Sequence, residues 1–342
     1  MRSTRLSLAL DSGALAFPAD GLIAVFSPHA GEDLGALPRS RTVIVTGFRP
    51  DHDAFAAAGW TCTTTAPEGL AAALVCLPRA RDAALSLVAS AAASVRPGGP
   101  VAVDGQKTDG IESVLRDLRA ALPQGALSDP VTKAHGRLAV FPAGAADLSA
   151  WIARPRPIAD GFTTIAGVFS ADAPDRGSAL LAAVLPRQMS GRVVDLGAGW
   201  GYLARAVLAH PGVTRLDLVE ADAAALDCAR LNIPDPRAAF HWADATRWKP
   251  AELADHIVCN PPFHVSREAD PALGLAFLRA AASMLRPEGT LWLVANRHLP
   301  YDSPLKTLFH TVEELGTDPA FRLVRAARPV RGTRAPQDRR SS

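Results

Sequence analysis

The sequence predicts an α/β protein of two tandem Rossmann-like domains, the first degenerate and the second intact, and three observations carry that prediction. The chain has 342 residues, about twice the roughly 150 of a typical domain. Strand, helix and strand follow one another with short Gly and Pro punctuation, the pattern of βαβ units in a parallel sheet. One such unit also occurs twice: LVCLP, LVASAAASVRPGG and PVAV between Leu74 and Val103 are matched by IVCNPP, LRAAASMLRPEGT and LWLVA between Ile257 and Ala295. Recurrence in the same order points to duplication.

In the first half, strands are expected near Leu22 to Phe26, Val43 to Thr46, Leu74 to Leu77 and Val101 to Val103, with Ala-rich helices between them. The second of these runs into VTGFRPD, which we match to the place of a glycine-rich loop in the second half. A linker is expected between Trp151 and Gly161, where WIARPRPIADG lacks either periodicity. This divides the chain into a degenerate domain over 1–155, a catalytic domain over 156–328 and a basic tail over 329–342 without regular structure.

Composition narrows the class. Hydrophobic residues make up 48% and charged residues 20%, enough apolar surface for two cores. The net charge of +2 is too mild for a generally basic nucleic-acid binder, so any RNA contact is local. Arg322 to Ser342, with seven arginines and one aspartate, reads either as a solvated tail or as a phosphate-contacting arm. The four cysteines, Cys62, Cys76, Cys228 and Cys259, show neither zinc spacing nor a disulfide framework, so no metal is expected and the cytosol is the expected compartment. Asp11 interrupts the apolar stretch after Arg2 and Arg5, no signal-peptide cleavage site follows, and no run is long enough to span a bilayer.

The chemistry lies in the second half. Arg192 to Leu196 read as a strand, followed by Gly197-Ala198-Gly199-Trp200-Gly201 and a helix from Tyr202 to Ala209. Glycines let a ligand approach the backbone closely, and a helix start favours anions. A dinucleotide or S-adenosylmethionine could use such a turn. The GxGxG spacing departs from the nicotinamide fingerprint, and Asp195 at the strand end suits a cationic ligand better than a pyrophosphate. Glu220, ending the next strand, can accept from two ribose hydroxyls. Asp244 and Ala245 follow another short strand, where they read either as an adenine-edge contact or as a turn.

The discriminating motif is Asn260-Pro261-Pro262-Phe263, directly after the apolar HIVC, at the strand end where open α/β sheets bind ligands. A conjugated exocyclic amine is a poor nucleophile until its N–H groups donate to fixed acceptors. The Asn260 side-chain oxygen and the Pro261 carbonyl can supply two, proline stiffens the loop, and Phe263 offers a face for a planar base. His264, a lone histidine, reads as a packing or solvent residue before any other role.

These stretches, with GVFS at Gly167 to Ser170, GSALL from Gly177 and VANRHLPY at Val294 to Tyr301, resemble the bacterial small-subunit ribosomal RNA guanine-N2 methyltransferase family, called RsmC-like. The resemblance covers about Gly167 to Val324 and also fits the related large-subunit guanine-N2 enzymes. It implies two methyltransferase-like domains, the first degenerate and used for RNA binding or support. It further implies S-adenosylmethionine as cofactor, held by Asp195, Gly197, Ala198, Gly199, Gly201, Glu220, Asp244, Ala245 and Asn260. Catalysis would rest on Asn260 to Phe263, and the base would meet Phe169, Phe263 and His264. The implied partner is ribosomal RNA or the small ribosomal subunit, acted on by a monomer without metal or membrane. The same NPP chemistry would serve adenine N6 or a glutamine amide, and a noncatalytic RNA-binding protein on this fold is the alternative from another class.

Overall fold

The computed structural model describes residues 2–262, 271–316 and 318–331. The chain forms two compact units. One takes the chain up to Ile158 together with Thr163–Ala171 and Asp222–Ala224, and the other takes Ala159–Phe162, Asp172–Ala221 and the chain from Ala225 onward. Among the described residues no helix is long and apolar enough to cross a membrane.

The first unit is built on strands β1 (Ile23–Phe26), β2 (Thr42–Val45), β3 (Thr61–Thr63), β4 (Ala72–Cys76), β5 (Pro100–Gln106), β6 (Val131–Lys133) and β7 (Gly136–Pro142), with helices α1 (Arg2–Asp11), α2 (Arg49–Ala57), α3 (Arg81–Ser94) and α4 (Ile111–Ala121). The sheet order is β3-β2-β1-β4-β5-β7-β6; the first five strands are parallel, and β7 runs antiparallel to both neighbours. Every residue of β1, β2 and β4 is buried, as expected of parallel strands covered on both faces. Helix α4 buries Ile111, Val114, Leu115 and Leu118, spaced i, i+3, i+4 and i+7 along one face. Helix α1 is held to β5 by charge. Fully buried Asp104 accepts from Nε of Arg2 and Nε of Arg5, each at 2.7 Å, and from Nη2 of Arg5 at 2.8 Å. A two-stranded ribbon, β8 (Arg156–Pro157) and β9 (Thr163–Thr164), follows.

The second unit repeats the plan with β10 (Ser190–Leu196), β11 (Gly212–Glu220), β12 (Ala238–Trp242), β13 (Ala254–Cys259), β14 (Leu285–Asn296), β15 (Phe309–Glu314) and β16 (Phe321–Pro329), and with α5 (Arg176–Val184), α6 (Tyr202–Leu208), α7 (Ala223–Asn232), α8 (Pro271–Met284) and α9 (Asp302–Leu308). The order, β12-β11-β10-β13-β14-β16-β15, is that of the first sheet strand for strand. One apolar cluster packs Val194, Leu196, Ile257, Cys259, Leu291 and Leu293 against α8, and another packs the opposite face against α5 and α6. The shared Arg-Pro-x-Gly has a steric reason. A Cβ on Gly99 or on Gly289 would lie 3.0 Å from the carbonyl oxygen of Arg96 or Arg286, respectively.

The registers correct two details of the repeat. Phe26 pairs with Val45 and Val75 as Leu196 pairs with Val219 and Cys259, and Val75 pairs with Val103 as Cys259 pairs with Leu293. All of these residues face α3 in one unit or α8 in the other. Val75 is therefore the counterpart of Cys259, so the VC pair aligned by letter is displaced by one residue. The counterpart of the glycine-loop strand is β1, not the strand leading to VTGFRPD. Asp195, Glu220 and Asn260 then correspond to Val25, Thr46 and Cys76, which leaves the first unit without any of the three polar groups.

The arginine-rich end also differs from either expectation at its start. Arg322 to Pro329 lie in β16, where Arg322 pairs with Asp302 and Glu314, and Arg325 with Glu313. Antiparallel pairing with β14 and β15 makes this segment sheet, neither frayed tail nor free arm. Residues 332–342 of the expected tail lie outside the described residues.

Candidate active site

The carboxyl ends of β10, β11 and β13 bring together Asp195 with the glycine loop, Glu220 and Asn260. Asp195 is fully buried, and both its carboxylate oxygens lack a hydrogen-bond partner among the described residues. Burial, and then the nearby Glu220 carboxylate, push its pKa up to about 8. The Ala204 amide pulls the other way but stands outside hydrogen-bond geometry. A carboxyl so placed favours a positive charge in its neighbourhood, which would relieve both the burial and the repulsion.

The glycine loop makes its turn with positive φ at Gly197, Gly199 and Gly201 (80°, 53° and 92°). Its glycine and Ala198 amides are engaged within the protein. Those of Gly197 and Ala198 donate to the Val219 carbonyl, that of Gly201 to Ala198, and that of Gly199 to Oε2 of Glu220 at 2.8 Å. The expectation that this loop presents amides to a ligand is corrected accordingly: what it offers is space. A Cβ on Gly199 would meet nothing within 4 Å, whereas one on Gly201 would press on Ile233 at 2.9 Å, so Gly199 marks the open side. The loop is braced from outside by Phe162, whose ring lies 4.9 Å from Trp200 and 5.5 Å from Tyr202. Arg205 caps Phe162 at 3.2 Å and donates to the Asp160 carbonyl. Neither Phe162 nor Arg205 carried a signal in the sequence.

Asp244 serves the turn after β12. Its Oδ1 accepts from the amide and hydroxyl of Thr246 at 2.9 and 2.6 Å, and Ala245 is buried beside it. Asn260 follows β13 directly. Its amide nitrogen donates to Oδ2 of Asp175 and to Oγ of Ser178, each at 2.8 Å, while its buried Oδ1 has no partner among the described residues. Pro261 is buried and Pro262 exposed. Asp175 and Ser178 reach Asn260 from the start of α5, and sequence reasoning assigned them no contact with it. Phe169, in Thr163–Ala171 of the first unit, is 62% exposed. Phe263 and His264 lie outside the described residues. Among the described residues, no group of three or more His, Cys, Asp or Glu is arranged to hold a metal.

A seven-stranded sheet of this order, with a glycine loop after its first strand in the chain, an acidic residue ending the next and Asn-Pro-Pro after the fourth, defines a Rossmann-like methyltransferase. The Methyltransferase small domain family model matches residues 160–325. The chain is 33% identical over 327 residues to the ribosomal RNA small subunit methyltransferase C of Pseudomonas aeruginosa (strain UCBPP-PA14), covering 91% of this chain and 92% of that protein. It is 34% identical over 275 residues to the protein of that name from strain LESB58, covering 78% and 82%. A match to the ribosomal RNA large subunit methyltransferase G of Shewanella amazonensis, 35% identical over 173 residues, spans only 45% of that protein. The fold is that of the T. Thermophilus 16S rRNA N2 G1207 methyltransferase (RsmC), solved in complex with AdoMet and guanosine, at a TM-score of 0.75 and 24% identity over 93% of this chain and 91% of that one. The chain belongs to the ribosomal RNA small subunit methyltransferase C family.

Proposed function

We propose that the protein transfers a methyl group from S-adenosylmethionine to the exocyclic N2 amine of a guanine in 16S ribosomal RNA. The observation that carries this reading is the Asn260 side chain: a buried oxygen without a partner among the described residues, on an amide whose nitrogen is already spoken for. A buried acceptor left unpaired costs stability, and a donor arriving with the substrate would satisfy it. An exocyclic amine is such a donor.

The described residues fit the cofactor. Asp195 supplies the buried negative charge that a cationic ligand would offset, Gly199 the open approach, and Glu220 a carboxylate whose orientation is fixed through the Gly199 amide. When bound, S-adenosylmethionine supplies a methyl group on a sulfonium, which is already a good leaving group. Gly197, Ala198, Gly199 and Gly201 would shape the floor of its site, Glu220 would accept from its ribose hydroxyls, and Asp244 with Ala245 would hold its adenine. Asn260 Oδ1 and the Pro261 carbonyl accept from the guanine amine, turning its lone pair out of conjugation and toward the methyl. Amide oxygens accept a proton's hydrogen bond without keeping the proton, so it leaves to water after transfer. In-line positioning therefore supplies most of the acceleration. Phe263 and His264 are assigned to the base, which has to be unstacked to reach the site.

The first unit, with Val25, Thr46 and Cys76 at the three polar positions, is assigned to RNA binding or support. We place the enzyme in the cytoplasm as a monomer. The test is transfer of labelled methyl to 16S and 23S RNA and to ribosomal subunits lacking the modification, followed by nucleoside digestion. N2-methylguanosine in 16S RNA alone is the expected result; cofactor binding without an RNA product would overturn the reading.

A further inference from the structure

We propose that Asp175 and Ser178 are positioning residues that orient and polarise Asn260, an inference that rests on the reading of Asn260 as acceptor of the target amine. The two ends of an asparagine amide are nearly the same size, so shape alone does not decide which one faces the substrate. Hydrogen bonding decides it here. The nitrogen donates to two oxygens at 2.8 Å, and the reversed amide would set its oxygen against the Asp175 carboxylate, which has no proton to donate. With both N–H bonds used, the oxygen is the atom left to accept.

The orienting pair is itself held in place. Asp175 caps α5, its Oδ2 accepting the Ser178 amide at 2.8 Å, and Ser178 is 7% exposed. Gly177 between them answers crowding: a Cβ there would lie 3.0 Å from Oδ2 of Asp175 and 3.1 Å from the Phe321 ring. The Gly177-Ser178 pair thus has a use beyond starting a helix. Asp175 also adds charge. Donation to a carboxylate makes the Asn260 oxygen a stronger acceptor, and a negative charge one amide away favours the positive charge that develops on the amine as the methyl bond forms.

Asp175→Asn isolates the charge, because a single oxygen of Asp175 accepts from both Asn260 and Ser178 and an amide oxygen can do the same. A unit charge roughly 7 Å from the amine, at an effective dielectric near 20, predicts a loss of about tenfold to fiftyfold in kcat. KM values and melting temperature should stay near wild type. Asp175→Ala, which also frees the amide to turn, should lose more, and Ser178→Ala about severalfold. The experiment measures kcat, both KM values and Tm for the full-length variants with 16S RNA. It also follows the Asn260 side-chain NH2 resonances in asparagine-labelled protein, which should move in Asp175→Ala. Unchanged kcat in both Asp175 variants, or losses that only track Tm or KM, would overturn the proposal. Should the wild type form no N2-methylguanosine, the reading of the reaction fails instead; the NH2 resonances still test the orientation, and their persistence in Asp175→Ala would sink it.

Discussion

Replacing Asp195 by Asn should stabilise the ligand-free protein while weakening its hold on S-adenosylmethionine. The carboxyl is fully buried, has no hydrogen-bond partner among the described residues and ionises at about 8 instead of 3.8. Such a raised value makes its contribution to stability largest in acid, below about pH 4, and drains it as pH rises toward 8, since the folded state holds a proton that the unfolded chain has released. The displacement corresponds to as much as about 5 kcal/mol between the two ends of that window. Asparagine keeps the shape and does not titrate. Its advantage over the wild type should therefore be near zero below about pH 4, grow through pH 8 and then level off. At about 2–4 °C per kcal/mol for a domain of this size, a gain of up to about 10–20 °C is expected at pH 8. Thermal unfolding of both ligand-free proteins across this range measures it. Calorimetry should show wild-type affinity for S-adenosylmethionine rising with pH over the same window, by about tenfold between pH 7 and full ionisation if the cation holds the carboxylate charged. A variant less stable at every pH, or a difference that does not vary between pH 5 and 8, would refute the reasoning.

Asn260→Ala should lower kcat by on the order of a hundredfold with S-adenosylmethionine affinity within about twofold, as equilibrium binding and single-turnover methylation would show. Gly201→Ala should cost about 2–4 kcal/mol in urea unfolding, because a left-handed φ of 92° is strained for alanine and its Cβ meets Ile233. Gly199→Ala, with nothing within 4 Å of the added carbon, should cost only the backbone strain of about 1–2 kcal/mol, but should impair cofactor binding. Asp104→Ala should destabilise the first unit by about 3–5 kcal/mol, measured by denaturant unfolding, because it strands the buried guanidinium of Arg5 and takes a partner from Arg2.

The residues legible in the sequence are those at strand ends. In a doubly wound sheet the carboxyl ends of neighbouring strands converge, so reading Asp195, the glycines, Glu220 and Asn260 after apolar runs was enough to bring them to one edge. The Asn260 orienters were illegible for the opposite reason. Asp175 and Ser178 precede it by more than 80 residues, and their spacing reads as an ordinary helix cap. The available hint was a serine on the buried side of an otherwise apolar helix, which needs a partner. The slipped repeat has its own cause: strands buried on both faces lack polar alternation, so nothing in LVC or IVC marks which residue faces which helix.

The two sheets separate what the fold requires from what the chemistry requires. Both keep the strand order, the Arg-Pro-x-Gly turn and apolar residues on the face toward α3 or α8. They part at three positions, where Val25, Thr46 and Cys76 stand against Asp195, Glu220 and Asn260. Two of the second set, Asp195 and Asn260, bury polar oxygens without partners among the described residues, a cost the first unit does not bear at Val25, which has no polar side-chain atom. A fold selected for stability alone would drift toward the first set. That the second unit retains oxygens unpaired among its described residues where its strands converge is the physical sign of a ligand, and it is stronger than the glycine loop, whose glycine and Ala198 amides are already engaged within the protein.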